Sequence, residues 1–314
     1  MKQLDFIIIG AQKSATTSLF KYLSEHQNIH MPADKEAPFF SDEKLYKKGW
    51  ESFAQNYFSG VSEEKLWGTA SPQYMGDPRA PQRIAKQNPQ VKLIAILRNP
   101  IDRVYSHYSM SVRREIEHRD FDSMVKQLLS KDHLSKYRNK LLPDHSSGYS
   151  LIDDNNEDAD NNYYCVWSEY GRILTHYNRY FSKQQLLILY MDDLMKNPQQ
   201  CINKVTRFLG FKEIFSPANI GKIYHKGGNK VYIPQAWKEL IKANSLFRLC
   251  WSRVPKRSKS YINYWYEQLN VRNSGKVIGP SNKAKEQLTD HFLPDIKRLE
   301  VLFDTKVPWS EFKM

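Results

Sequence analysis

The sequence of 314 residues has few cysteines and no long apolar run, and both shortages exclude whole classes of protein. Its three cysteines, Cys165, Cys201 and Cys250, form no CxxC pair and no zinc-binding spacing, so free thiols in a reducing compartment are expected. No apolar run approaches the roughly 18 residues of a membrane span. The N-terminal apolar run is too short for a signal peptide and indicates a core strand. We therefore expect a cytoplasmic location.

Acidic residues are also in short supply. The chain has 34 Asp and Glu against 47 Lys and Arg, for a net charge of +13. This excess favours an anionic partner, which could be nucleic acid, an acidic glycan, a membrane surface or a charged nucleotide. No nucleic-acid-binding motif accompanies the charge, so nucleic acid is not expected.

Short runs of branched apolar residues predict buried strands of a parallel sheet at residues 6–9, 91–97 and 186–190. Helical spacing of apolar residues lies between and after them. The predicted helix ends are an Asn99 cap with Pro100 in the first position, a Gly210 C-cap, and a break or kink at Pro294. The alternation predicts one domain over residues 1–314 with an α/β fold: three layers, with a P-loop-type central parallel sheet flanked by helices.

Two segments differ in composition from this pattern. Residues 144–162 are polar and rich in acids, which predicts a mobile surface loop. Residues 224–282 are basic and aromatic, which predicts a helical insert toward the C-terminus. Three roles stay open for the insert: a lid, an acceptor-binding region, or a peripheral contact with a membrane.

The segment "GAQKSATTSL" directly follows the first predicted strand. Backbone N–H groups at such a strand–helix turn converge on an anion, and Lys13 adds a positive charge. The segment does not fit GxxxxGK[ST], because its lysine comes too early. The strand at 91–97 also ends in Arg98, where a nucleotide site with magnesium would use an aspartate. A site for phosphate without a metal ion is therefore expected.

A second segment, "LRNPIDRVYSHY", places Arg98 at a strand end and Ser106 two turns into the next helix. A guanidinium with a nearby hydroxyl can clamp a phosphate. Together the two segments resemble the sulfotransferases that use 3′-phosphoadenosine 5′-phosphosulfate (PAPS). The likeness is greatest to the heparan-sulfate type and its bacterial relatives. The segments 35–42, "KEAPFFSD", and 70–75, "ASPQYM", also resemble that family.

The resemblance implies PAPS as the donor, 3′-phosphoadenosine 5′-phosphate (PAP) as the product, and no metal. Lys13 would donate to the bridging oxygen, and Glu36 would be the general base. Arg98 and Ser106 would hold the 3′-phosphate. The other implied cofactor-binding residues are Gln12, Ser14, Ala15, Thr16, Thr17 and Ser18 around the 5′-phosphosulfate, and Lys226, Gly227 and Gly228 over the 3′-phosphate. Ala15 stands where relatives often have glycine, and we expect it to resist a positive φ.

Two departures concern the acceptor. Pro38 replaces a histidine and Ala70 replaces a lysine of the glycan-sulfating relatives, which argues against a heparan-like acceptor. Tyr74 and His107 are further candidates for contact with the acceptor, although packing is the commoner role of such side chains. The sequence favours a small metabolite bearing a hydroxyl or amine. A polysaccharide or glycolipid at a membrane surface, and a P-loop kinase that uses ATP, stay open as alternatives.

Overall fold

The computed structural model describes residues 1–33, 35–114, 116–141, 160–222, 224, 229–231, 244, 271–273 and 278–313. Within them, five parallel strands form the central sheet in the order β2–β3–β1–β4–β5. The strands are β1 (Phe6–Gly10), β2 (Ile29–His30), β3 (Leu66–Ala70), β4 (Lys92–Leu97) and β5 (Leu186–Tyr190). A separate antiparallel pair joins β6 (Asn229–Val231) to β7 (Val271–Asn273). The predicted α/β class with a central parallel sheet is confirmed.

The helices follow the strands along the chain and cover the sheet. Those in the described residues are α1 (Thr16–Ser24), α2 (Glu43–Lys47), α3 (Gly49–Phe58), α4 (Ala80–Gln87), α5 (Pro100–Arg113), α6 (Phe121–Leu128), α7 (Lys131–Lys140), α8 (Tyr170–Tyr177), α9 (Met191–Lys196), α10 (Pro198–Leu209) and α11 (Asn282–Phe303). In the described part of the chain, no helix has the length and apolar character needed to cross a membrane.

The predicted helix ends at Asn99 and Gly210 are confirmed, whereas the break predicted at Pro294 is absent and the alternative of a kink there stays a prediction. Asn99 accepts a hydrogen bond from the N–H of Ile101, with Pro100 first in α5, and Gly210 ends α10 with φ at 106°. α11 instead continues through Pro294. Its buried residues on either side of the proline, including Phe292 and Ile296, pack into the core, and this packing keeps the helix in one piece.

Alternate residues of the central strands pack against helices on opposite faces of the sheet. Ile7 of β1 belongs to a core with α3, α5, α6, α8 and α11, whereas Phe6 and Ile8 belong to a second core with α1 and α10. β4 alternates in the same way, with Leu93 on the first face and Ile94 on the second. This is the three-layer arrangement expected of strands buried on both sides.

α8 begins against a buried carboxylate of α11. Asp295 accepts hydrogen bonds from the N–H groups of Gly171 at 2.7 Å and Arg172 at 2.8 Å. These are first-turn donors with no partner inside α8. Burial raises the pKa of Asp295 to about 6. The neighbouring Glu169 has its pKa lowered to about 2, because hydrogen bonds and charges from His291, Arg172 and Arg138 outweigh its burial.

From the raised pKa of Asp295 we predict how the free energy of unfolding changes with pH. A carboxyl whose pKa is higher in the folded state stabilises the fold below its unfolded pKa of 3.8, and this stabilisation is lost as the pH rises through about 6. From pH 5 to pH 7, the wild type should therefore lose about 1–2 kcal/mol of unfolding free energy relative to Asp295→Asn. Denaturant unfolding of both proteins at the two pH values measures this. A constant difference between them would contradict it.

Candidate active site

The loop after β1 lies at the edge of the sheet where β1, β3 and β4 end. In parallel sheets this is the edge at which ligands bind. Lys13 has φ at 71°, and Ala15 has φ at 63° as the residue that precedes α1. The expectation that Ala15 resists positive φ is therefore wrong. The carbonyl of Ala15 accepts the N–H groups of Ser18 and Leu19, so the first turn of α1 holds the residue in a conformation that costs roughly 1–2 kcal/mol.

This loop leaves backbone donors available. Within the described residues, the N–H groups of Thr16 and Thr17 at the start of α1 donate to no other group. They lie at the positive end of the helix dipole. Thr17 is half-buried, whereas Ser14 is fully buried and its side chain is shielded from solvent. The hydroxyl of Ser18 is buried and accepts the N–H of Tyr224 at 3.4 Å.

Lys13 is the centre of a cluster of positive charge. Its Nζ lies 3.6 Å from the Met110 sulfur on α5. The pKa of Lys13 is lowered to about 8, first by burial and then by the positive charges of four nearby guanidinium groups: Arg113, Arg114, Arg98 and Arg103. In the ranges that the structure describes, no carboxylate lies within ion-pair distance of Lys13 or Arg98. Such a cluster fits a highly charged anion.

Two of these arginines also hold the loop. Arg98 donates to the carbonyl of Lys13 at 3.4 Å, and Arg103 donates to the carbonyl of Gln12 at 3.5 Å. Arg103 is 1% exposed, and its other nitrogens donate to the Ser168 hydroxyl and the Tyr164 carbonyl. Sequence reasoning missed Arg103. The sequence feature that could have revealed it is a charged residue on the apolar face of α5, one turn before the buried His107.

Arg98 lies where it was predicted, directly after β4, and the hydroxyl of Tyr170 donates to its carbonyl at 3.0 Å. Ser106 lies on α5 and is half-buried. The structure thus places Arg98 at the loop edge of the sheet, and the assignment of Arg98 and Ser106 to the 3′-phosphate stays a prediction. Lys226, Gly227 and Gly228 lie outside the described residues, as do most of the predicted acidic loop and of the basic insert.

Glu36 is brought to the same edge by the segment after β3. The Ser71 hydroxyl accepts the N–H of Ala37 at 3.1 Å and donates to its carbonyl at 2.9 Å. Gln73 then donates from Nε2 to Glu36 Oε2 at 2.9 Å, and Lys35 pairs with Glu36 Oε1 at 3.3 Å. The Glu36 side chain is 52% exposed, so it remains open to an incoming molecule.

The four acceptor candidates fall into different environments. Pro38 is half-buried and its carbonyl accepts the N–H groups of Ser41 and Asp42. Ala70 and Tyr74 are fully buried, and the Tyr74 hydroxyl donates to the Ala37 carbonyl. His107 is also fully buried; its ring stacks on Trp167, and burial lowers its pKa well below the usual value. These contacts give Ala70, Tyr74 and His107 packing roles in this structure.

Backbone N–H groups at a helix N-terminus beside positive side chains are typical of α/β proteins that bind an anionic ligand. Comparison with known proteins identifies the family to which this chain belongs. The sulfotransferase domain family matches residues 3–225, and the chain belongs to this family. A bacterial sulfotransferase structure from Alicyclobacillus acidocaldarius has the same fold, with a TM-score of 0.64, 22% identity and 98% of both chains covered.

Two curated relatives illustrate the range of the family. The membrane-associated sulfotransferase kil1 of Dictyostelium discoideum is 34% identical over 111 residues, which are 35% of this chain and 23% of that protein. The mouse heparan sulfate glucosamine 3-O-sulfotransferase 5 is 26% identical over 292 residues, 91% of this chain and 72% of the relative. Against five of the curated relatives, the chain spans only 22% to 47% of their length.

The low pKa of Lys13 predicts a pH-dependent affinity for PAP. An anion binds best when Lys13 is charged, so PAP affinity should fall as the pH rises above about 8, by up to tenfold per pH unit. Titration calorimetry from pH 7 to 9.5 measures the slope. Lys13→Met should bind PAP more weakly and with a flat profile over that range. An equal slope in both proteins would contradict the assignment of the titration to Lys13.

Proposed function

We propose that this protein transfers the sulfuryl group of PAPS to a hydroxyl of an acceptor and releases PAP. One observation carries the proposal. Lys13, whose pKa is lowered to about 8 among four arginines, lies at the N-terminus of α1 on the same edge of the sheet as the exposed carboxylate of Glu36. An anion site and a solvent-accessible carboxylate at one edge of the sheet are what transfer from a phosphosulfate to a hydroxyl requires.

The roles of the residues follow from the charges that move during transfer. Glu36 takes the proton of the acceptor hydroxyl as that oxygen forms its bond to sulfur. The bond between sulfur and the bridging oxygen breaks, and the electron pair goes to the 5′-phosphate. Lys13 and the N–H groups of Thr16 and Thr17 stabilise this negative charge as it grows. Arg98 and Ser106 are assigned to the 3′-phosphate, which does not react.

A kinase is the weaker candidate. Phosphoryl transfer from ATP uses an acidic side chain near the loop to hold magnesium. Here Arg98 directly follows β4, a neighbour of β1, and donates to the carbonyl of Lys13 in the loop. The described residues also contain no cluster of three His, Cys, Asp or Glu suited to a metal ion. The position of Arg98 supports PAPS as the donor, because a guanidinium group suits a second phosphate.

The acceptor is assigned by class. Several curated relatives are named as heparan sulfate sulfotransferases, which supports a sugar hydroxyl as the target. Pro38 and Ala70 replace polar side chains of such relatives, so we favour an acceptor less acidic than heparan, either a small metabolite or a neutral glycan. The cytoplasmic location, the peripheral membrane contact and the absence of a nucleic-acid partner stay predictions.

The role of Glu36 is tested by Glu36→Gln. This change keeps the side chain's shape but removes its basicity, so transfer of ³⁵S from PAPS to a panel of sugars and small alcohols should fall at least about 100-fold. PAP affinity should stay within about twofold of the wild type. Glu43→Gln serves as the control. Glu43 is a glutamate away from the loop, and it pairs with Arg79 and Arg83. Normal transfer by Glu36→Gln would place the base elsewhere.

A further inference from the structure

Two further arginines lie at the C-terminal end of α5. Ser106, which is assigned to the 3′-phosphate, lies one turn before Met110, and the Met110 sulfur lies 3.6 Å from the Lys13 ammonium. Arg113 is the last residue of α5, and Arg114 directly follows it. Residues three and four positions apart share one face of a helix. The two arginines therefore extend the face of α5 on which Met110 meets Lys13.

In the portion of the chain with a described structure, neither of these arginines pairs with a carboxylate. The carboxylate of Glu117, the first described acid after α5, pairs with Arg119 instead. Arg113 is half-buried, and burial lowers the pKa of its guanidinium group, which the positive charge of Arg114 lowers further. A partly buried charge without a counter-ion is unfavourable, so a bound anion would stabilise this end of α5.

The charges of Arg113 and Arg114 also act on Lys13. They lower the pKa of Lys13 more than the charges of Arg98 and Arg103 do. Together with the contact between Lys13 and α5, this effect indicates that the pair lies close to the Lys13 ammonium. The dipole of α5 favours cations at its C-terminal end. It does not account for the grouping with Lys13, because like charges repel one another, whereas a shared anionic ligand would account for it.

The order of groups along α5 separates the pair from the 3′-phosphate. A helix rises by about 1.5 Å per residue, so Arg113 lies about 10 Å beyond Ser106 along the axis and about 5 Å beyond Met110. The ammonium of Lys13, at the level of Met110, lies between these two positions. Lys13 is assigned to the oxygen that bridges to the sulfuryl group. The pair is then on the far side of that group from the 3′-phosphate, which is the side left for the acceptor.

We propose that Arg113 and Arg114 bind an anionic group of the acceptor, a carboxylate or a phosphate, while the hydroxyl of the same molecule faces the sulfuryl group. About one helical turn separates the pair from Lys13, so the anionic group and the hydroxyl are roughly 5 Å apart. Guanidinium groups suit both anions, since each anion offers two oxygens to one fork. The acceptor is then a small acidic metabolite and not a neutral glycan. This inference rests on the proposed function, because it places the pair beside the group that is transferred.

The test compares matched molecules that bind to the protein saturated with PAP, from which no sulfuryl group can be transferred. The pairs are methyl β-D-glucuronide with methyl β-D-glucoside, and glycerol 3-phosphate with glycerol. Ligand-observed NMR measures each dissociation constant. At least one acidic member should bind at least about 10-fold more tightly than its neutral partner, as expected for charged hydrogen bonds. Arg113→Gln and Arg114→Gln should each lower this ratio, and the double variant should bring it close to one.

The matched control is Arg207→Gln, which removes an exposed arginine from the last turn of another helix, α10. It should keep the preference for the acidic member. A preference that persists in the double variant would mean that the anion binds elsewhere, for example at Lys13, and would overturn the proposal. The absence of any preference in the wild type would also overturn it.

PAP affinity distinguishes this acceptor site from the donor site. Titration calorimetry of PAP is done first on every variant. The affinity should stay within about threefold of the wild type when Arg113 and Arg114 are changed, because the pair contacts the acceptor and not the nucleotide. A loss of PAP affinity as large as the loss of acceptor preference would assign the pair to the donor and overturn the proposal. A wild type that does not bind PAP would instead contradict the proposed function.

Discussion

The repulsion among positive charges at one edge of the sheet is the constraint on which the rest of the site depends. Lys13 lies in the loop before α1 among four arginines, and its pKa is lowered first by burial and then by the repulsion from these arginines. The fold maintains this arrangement through neutral contacts. Arg103 is held by carbonyl and hydroxyl oxygens of the segment before α8, and Arg98 by the loop itself. A bound anion would reduce the repulsion among these charges. Because the fold already holds the charges in place, little free energy would be spent on ordering them when the anion binds.

The side of the site that carries Glu36 has a different composition. The amides of Gln12 and Gln73 and the indole of Trp167 line a small cavity beside the loop, and Gln73 donates to the exposed carboxylate of Glu36.

Sequence patterns predicted the parts of the fold that depend on short-range chemistry. β1, β4 and β5 are continuous apolar runs, and the ends of α5 and α10 carry residues suited to caps. β2 and β3 were not predicted, because β2 has two residues and β3 contains Gly68. Lys13, Arg98 and Glu36 could be proposed because each lies in a motif. Arg103 and Trp167 could not, because their roles depend on how the segment before α8 packs against α5. Pro294 lies inside a helix that packs into the core, although proline tends to break helices, and Ala15 is held at positive φ by the first turn of α1.

The central claim is that the loop and Arg98 together bind a nucleotide with phosphates at both ends of its ribose. Titration calorimetry in EDTA with PAP and with adenosine 5′-monophosphate tests it most directly. The account predicts that PAP binds at least about 10-fold more tightly, and that Arg98→Ala removes most of this difference, as expected for the loss of one charged hydrogen bond. Equal affinity for the two nucleotides, or PAP binding that requires magnesium, would contradict it.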